Sequence, residues 1–147
     1  MDFQTLNLLF RCSKEFNHEK IRLHELTETE CMICSFLCRS TPCSQEDVVR
    51  ALRADKTTIG KALQKLEARG YVSREEDPGD RRKKLLRLTE LGLAQTGDIM
   101  GIHDRWLKTV LSALSEEEQR QFEDYCRRLL ANAESLLDRE KSEEIKN

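Results

Sequence analysis

Apolar residues recur along this chain at two different spacings, and the change from one to the other organises it. Phe3, Leu6, Leu9, Phe10 and Phe16 fall at loosely helical steps and predict an amphipathic helix over residues 3 to about 23. Thr27 with Glu30 three residues on is a capping box, and it opens a second helix over 27–40. That helix carries Cys31, Ile33, Cys34, Leu37 and Cys38 on one apolar face, and Thr41-Pro42 ends it, because a residue before proline avoids helical geometry. Ser44 with Asp47 repeats the box, with Val48, Val49 and Leu52 facing inward. Asp55 caps a helix over 55–69 that stops at Gly70, a residue suited to the left-handed position after a helix. The period then falls to two. Residues 71–76 and 83–88 read as strands around the polar stretch DPGDRR, which predicts a hairpin with a long basic tip. Pro78 and Gly79 are its turn formers.

Helical spacing returns at Thr89 and lasts to about residue 113, through Leu93, Ile99, Met100, Trp106, Leu107, Val110 and Leu111. Gly92 and Gly101 weaken this helix and are candidate bend points. Ser115 with Glu118 opens the last helix, which places Phe122, Tyr125, Cys126, Leu129, Leu130, Ala133, Leu136 and Leu137 at steps of three and four. The tail KSEEIKN is expected to fray. No internal repeat or interdomain linker interrupts the pattern, so one domain over 1–147 is expected. The fold class is mainly α with a small β-hairpin wing: two short helices, a tight turn and a hairpin make a winged helix-turn-helix over 27–89. A connecting helix follows over 90–114.

Composition agrees. The chain has 147 residues, 38% hydrophobic and 35% charged, with 5% aromatics and 2 prolines. That argues against an all-β sandwich and for a mostly helical chain with a lean core. The start, MDFQTLNLLFRC, lacks a basic leader and a cleavage site, and no apolar run approaches the ~20 residues of a membrane span. A cytoplasmic protein with no membrane partner is expected, and its cysteines at 12, 31, 34, 38, 43 and 126 are expected to be mostly reduced. Net charge is −2, but residues 44–87 hold twelve Lys/Arg against eight Asp/Glu, while the rest holds thirteen against nineteen. A basic middle between acidic arms suits a nucleic-acid reader on a scaffold, although ordinary surface charge gives similar asymmetries.

The helix over 55–69 has two faces. At 100° per residue, Ile59, Ala62, Leu63 and Leu66 cluster on one side, and Thr57, Lys61 and Gln64 lie opposite, flanked by Thr58 and Lys65. Thr and Gln can bond base edges and Lys can reach guanine or phosphate, while Gly60 leaves room for close approach. A solvated face would look the same taken alone. The hairpin adds weight, because Asp80-Arg81-Arg82-Lys83-Lys84 crowds four cations at a tip that could grip phosphates or enter the minor groove. Solubility or edge protection is the plain alternative. Candidate DNA contacts are therefore Ser44, Gln45, Lys56, Thr57, Thr58, Lys61, Gln64, Lys65, Arg74, Arg81, Arg82, Lys83 and Lys84. Asp80, two residues before Arg82, can bond its guanidinium and orient the wing.

The stretch DKTTIGKALQKLEARGYVSREEDPGDRRKKLLRLTELG resembles the heart of the MarR family of bacterial regulators. The likeness rests on a reading helix ending in LEARG, on Asp80-x-Arg82, on Leu88-Thr89-x-x-Gly92, and on LHELTETE at 23–30. In outline it covers nearly the whole chain. It implies a homodimer whose first and last helices, 1–26 and 115–147, form a dimerisation lobe. It also implies reading helices in successive major grooves of a pseudo-palindrome, with wing arginines in the minor groove. The apolar stripes of the terminal helices, with little else to cover in so small a chain, fit that arrangement. Only 25 residues precede Leu26-Thr27, so a short first helix is expected.

Members of the family respond to small ligands, metals or oxidants, and four sensing readings compete. Cys31, Cys34 and Cys38 share a helix face and could bind metal, but the same face suits plain core packing of small hydrophobic thiols. Cys12 is a candidate peroxide-sensing thiol. His18, His24 and His103 could join Glu25 or Glu28 on zinc, though dispersed histidines are more often surface residues. Phe10, Phe16 and Trp106 could line a cleft for a small lipophilic anion of unidentified structure, though aromatics are more often core. No cofactor is expected. No nucleophile motif, phosphate loop or HExxH occurs, so an enzyme is not expected. A winged helix that binds protein instead of DNA is the remaining rival, and the four-cation wing argues against it. The expected function is a double-stranded-DNA-binding transcriptional regulator, a repressor released by a small-molecule effector. The alternative is a regulator that senses metal or redox state through its cysteines.

Overall fold

Side-chain caps set where the helices of this chain begin. The computed structural model describes residues 2–144. Helix α1 (Phe3–Arg22) starts where the Asp2 carboxylate accepts the Gln4 N–H. Helix α2 (Glu28–Arg39) starts at a complete capping box of Thr27 and Glu30. Strand β1 (Cys43–Ser44) leads directly into α3 (Gln45–Leu52), capped by the Ser44–Asp47 box. Helix α4 (Lys56–Ala68) opens at Asp55, strands β2 (Val72–Asp77) and β3 (Asp80–Leu88) form the hairpin, and α5 (Glu90–Leu111) and α6 (Glu116–Glu144) complete the chain. Each cap satisfies main-chain N–H groups that the first helical turn leaves without partners.

By its own contacts the chain divides into two compact units, Met1–Trp106 and Leu107–Asn147. The core of the first unit is built from Ile33 and Leu37 of α2, Val48 of α3, Ile59, Leu63 and Leu66 of α4, Leu86 of β3 and Ile99 of α5. All eight are essentially inaccessible to solvent. In the second unit the described residues of α6 are all at least partly exposed. Among the described residues no helix is long and apolar enough to cross a membrane.

The sheet differs from a simple hairpin. It has three antiparallel strands in the order β1-β3-β2, because Cys43 and Ser44 pair with Leu86 and Leu85. Two residues carry too little pattern to be read as a strand, and only the partner supplies the hydrogen bonds. The tip is also shorter than expected. Asp77 pairs with Asp80 across Pro78-Gly79, and the Asp77 carboxylate accepts the Gly79 N–H at 2.8 Å. Asp80 to Lys83 belong to β3, but the pairing jumps from Asp77–Asp80 to Glu76–Lys84, so Arg81, Arg82 and Lys83 form a bulge.

The far tail also departs from expectation. Helix α6 continues to Glu144, with the Ser142 hydroxyl bonded back to the Asp138 carbonyl at 2.8 Å. Residues 145–147 of the stretch expected to fray lie outside the described residues. Cys38, expected on the core face of α2, is exposed while Cys31 and Cys34 are buried.

Neither Gly92 nor Gly101 breaks α5, which runs unbroken through both. Gly92 serves a close approach instead. A Cβ there would lie 2.1 Å from the Tyr71 carbonyl oxygen, inside any van der Waals contact. The Thr89 N–H donates to that same carbonyl at 3.0 Å. The Thr89 hydroxyl donates to the Gly70 carbonyl at 2.6 Å and accepts the Gly92 N–H at 3.0 Å. Gly70 supplies the left-handed residue after α4, with φ 76°.

Gly92→Ala is expected to lower unfolding free energy by about 1–3 kcal/mol, the cost of forcing packed backbone apart. Gly97→Ala, where a Cβ meets nothing within 4 Å, is expected to raise it by about 0.5–1 kcal/mol. Urea midpoints of the two variants measure both, and a Gly92→Ala protein as stable as wild type would contradict the close approach.

Candidate nucleic-acid interface

The turn between α3 and α4 decides which face of α4 is shown. Arg53 takes a left-handed conformation at φ 49°, although neither Gly nor Asn marks the position. Its N–H and that of Ala54 return to carbonyls of α3. Asp55 then caps α4: its carboxylate accepts the Thr58 N–H at 2.8 Å and the Thr58 hydroxyl. These bonds, the hydroxyl's first, hold the Asp55 carboxyl below its ordinary range. Ile59, Ala62, Leu63 and Leu66 are the buried residues of α4, and Lys56, Thr57, Lys61, Gln64 and Lys65 are exposed on it.

Two expected contacts also serve as caps. The Ser44 hydroxyl donates to Asp47 at 2.8 Å and accepts the Asp47 N–H, and the Thr58 hydroxyl is committed to Asp55. The Asp47 carboxyl is held below its ordinary range, first by the Ser44 N–H, then by the Ser44 hydroxyl, with smaller help from Arg50 and Lys83. The wing cation Lys83 thus lies within electrostatic reach of the start of α3.

Two more expected contacts are tied to each other. Arg74 donates from Nε to Glu67 Oε1 at 2.9 Å and from a terminal nitrogen to Gln45 Oε1 at 3.2 Å. Gln45 lays its amide against Gly60, where a Cβ would stand 3.4 Å from Nε2. The space over Gly60 that the sequence reserved for DNA is thus next to a side chain of α3. On the wing, Lys84 pairs with Glu76 at 3.1 Å and Arg87 with Glu75 at 3.0 Å. Arg81, Arg82 and Lys83 are exposed in the bulge. Asp80 orients the wing differently from expectation. Its carboxylate accepts the main-chain N–H of Arg82 at 3.0 Å, not the guanidinium, because a two-residue reach fits the backbone turn.

What remains is a face of Lys56, Thr57, Lys61, Gln64 and Lys65 on α4 and a cationic bulge of Arg81, Arg82 and Lys83 on the wing. A helix face of donors beside a cationic hairpin can read a groove and grip its phosphates. The sequence profile of the MarR family matches residues 24–83, from just after α1 into the wing bulge. The chain is 29% identical to the transcriptional regulator HosA of Escherichia coli O111:H- over 129 residues, covering 87% of this chain and 93% of HosA. It is 28% identical to the regulator BilQ of Clostridium symbiosum (strain WAL-14163), covering 86% and 84% of the two chains. The crystal structure of MarR superposes with a TM-score of 0.76 at 26% identity, covering 92% of this chain and 96% of MarR. These likenesses together support a MarR-family winged-helix transcriptional regulator.

The chain also shares its fold with the S. aureus MepR–DNA complex, at a TM-score of 0.75 and 24% identity over 90% of this chain and 98% of MepR. Its fold is the six-helix, three-stranded winged helix of that family.

The candidate sensing groups are dispersed. Phe16 and Trp106 meet in a tilted pair with ring centroids 5.3 Å apart, and Lys20 sits over the Phe16 ring at 3.6 Å. Phe10 does not join them and is 62% exposed. Among the described residues no group of three His, Cys, Asp or Glu side chains could hold a metal ion. His24 bonds Gln95 at 2.7 Å, Cys12 and Cys38 are exposed, and Cys31 and Cys34 face the core. Burial pushes the Cys31 thiol up to about 12 and the Cys34 thiol up to about 11, the latter against a hydrogen bond with Thr96. Buried thiols held protonated are poor nucleophiles and poor ligands. One residue that sequence reasoning missed is Arg69, at the end of α4. It donates to the His24 carbonyl at 3.2 Å and to the Glu25 carbonyl, holding Glu25 left-handed at φ 55°.

Two outcomes follow for the thiols. At pH 8, iodoacetamide should label Cys38 in the folded protein and leave Cys31 and Cys34 unlabelled, as read by peptide mass spectrometry. Because the folded state holds these two protons more tightly than the ordinary value of 9.0, their contribution to stability is complete below pH 9. It is lost as pH rises from 9 towards 12. Cys31→Ser/Cys34→Ser should flatten that part of the stability profile, and an unchanged slope would count against the burial argument.

Proposed function

We propose that this chain is a sequence-specific double-stranded-DNA-binding repressor of the cytoplasm, acting as a homodimer on a pseudo-palindromic operator and released by a small-molecule effector. The observation that carries the reading is the exposed Lys56/Thr57/Lys61/Gln64/Lys65 face of α4 beside the bulged cations of β3. Helix α4 enters the major groove, with Thr57, Lys61 and Gln64 against base edges. Arg81 and Arg82 of the bulge reach the adjacent minor groove or its phosphates. A relative named as a repressor, NicR of Pseudomonas putida, is 37% identical over 70 residues, and the MepR neighbour was solved on DNA.

The dimer is supported by apolar side chains left open at both ends of the chain. Phe3, Leu8, Leu9 and Phe10 of α1 are exposed, as are Phe122, Leu129, Leu130, Leu136 and Leu137 of α6. Faces of this size on a soluble chain call for a partner, and a second copy supplies both at once. Two-fold symmetry then sets half-sites about one helical turn, ~34 Å, apart. The Phe16–Trp106 pair, with Lys20 over Phe16, is the place proposed for an anionic aromatic effector.

Selection of bound duplexes from random DNA tests the reading. A palindromic consensus is expected, with binding that weakens steeply as salt rises. Arg82→Ala should weaken binding without unfolding the protein. Lys61→Ala or Thr57→Ala should relax preference at one base pair per half-site, by about 1–3 kcal/mol. Wild-type affinity in Arg82→Ala, or an unchanged consensus in both α4 variants, would remove the assigned surface.

A further inference from the structure

The wing and α4 must be held at a fixed spacing if both are to engage one duplex, because grooves are rigidly spaced. The pairs Lys84–Glu76 and Arg87–Glu75 stiffen the hairpin internally and leave that spacing free. Arg74 acts between elements. It lies two residues past the buried Val72 on β2, so its side chain leaves the strand on the core-side face. From there one guanidinium reaches Glu67 in the last turn of α4 and Gln45 at the first turn of α3. The Arg74 and Glu67 side chains are 28% and 29% exposed, against 48% and 61% for Lys84 and Glu76. A half-shielded, forked pair is worth more than a surface pair and fixes direction as well as distance. The carboxylate on Arg74 also competes with any phosphate for the same donors.

We infer that Arg74 is a positioning residue that locks the wing to α3 and α4 and is not itself a DNA contact. The inference rests on the DNA-reading role proposed above. Glu67 is its counterpart, an acidic residue beside the interface whose removal weakens DNA binding. Gln45 completes the lock from α3. The prediction is opposite in sign to the contact reading, in which deleting Glu67 frees a cation and removes a repelling charge.

The test uses the full-length protein and a duplex recovered from random-sequence selection. Arg74→Lys, Glu67→Gln, Arg82→Ala and the double variant Arg74→Lys/Arg82→Ala are titrated against it over a range of salt. Melting temperatures check that each is folded. Both single clamp variants are expected to bind about tenfold more weakly. The double variant is expected to lose less than the product of its two single losses, because an unlocked wing has already lost much of what Arg82 supplies. Glu67→Gln that tightens binding, or Arg74→Lys that binds like wild type, overturns the inference and returns Arg74 to the phosphates. Amide hydrogen exchange without DNA supplies the independent arm. Exchange in β2 and β3 should quicken in both clamp variants while α2 stays protected, and an unchanged wing overturns the lock whatever the DNA results. If wild type binds no duplex, the DNA reading fails, and the exchange result still decides whether Arg74 locks the wing.

Discussion

The end of α4, the base of the wing and the start of α5 all depend on one clasp around the Tyr71 carbonyl. Thr89 donates to that oxygen from its main-chain N–H, and its hydroxyl spans from the Gly70 carbonyl to the Gly92 N–H. Gly92 brings its α-carbon so close that no side chain fits. Both strands of the wing leave from this point, β2 just after Tyr71 and β3 ending just before Thr89. A displacement at the clasp would therefore move the whole lever of the hairpin. The threonine serves at once as helix cap and as strand tie, so the chain changes from strand to helix with its orphan N–H groups satisfied.

Beyond the clasp, the organisation of the site is a matter of which charges are neutralised within the protein. A cation beside a carboxylate already has its donors occupied, and moving it to a phosphate exchanges one partner for another. Arg74, Lys84 and Arg87 are held this way. The strand pairing jumps over Arg81, Arg82 and Lys83, and among the described residues none of the three is joined to a carboxylate by a salt bridge, Lys83 acting on Asp47 only at longer range. Crowding three cations costs repulsion in the free protein, which an approaching polyanion relieves. The same division shows on α4, where Asp55 anchors Thr58 and leaves Thr57, one residue earlier, exposed.

The cysteines illustrate how position overrides type. Three at helical spacing on α2 suggested either core or metal site. Two are buried with their protons held tightly, and the third has turned to solvent. The buried stripe of α2 is narrower than the spacing alone implies, since it holds Cys31, Ile33, Cys34 and Leu37 but not Cys38.

Much of this protein was legible from local pattern. Capping boxes at Thr27, Ser44 and Ser115 act within four residues, so helix starts follow from the sequence alone. The two faces of α4 follow from a period of 3.6, and the hairpin from a period of two around Pro78-Gly79. The quoted motifs carried the family. Other features needed partners distant along the chain. Strand β1 exists through Leu85 and Leu86, some forty residues away. Gly92 reads as a helix weakener until Tyr71 is set against it. Arg53 turns left-handed with no residue type to announce it. Arg74 and Arg82 are the same residue eight positions apart, and their sequence neighbours do not tell them apart. Periodicity decides which side of an element a residue is on, and that is local. Whether a charged side chain there meets a carboxylate or open water depends on distances between elements, and only the packed tertiary structure sets those.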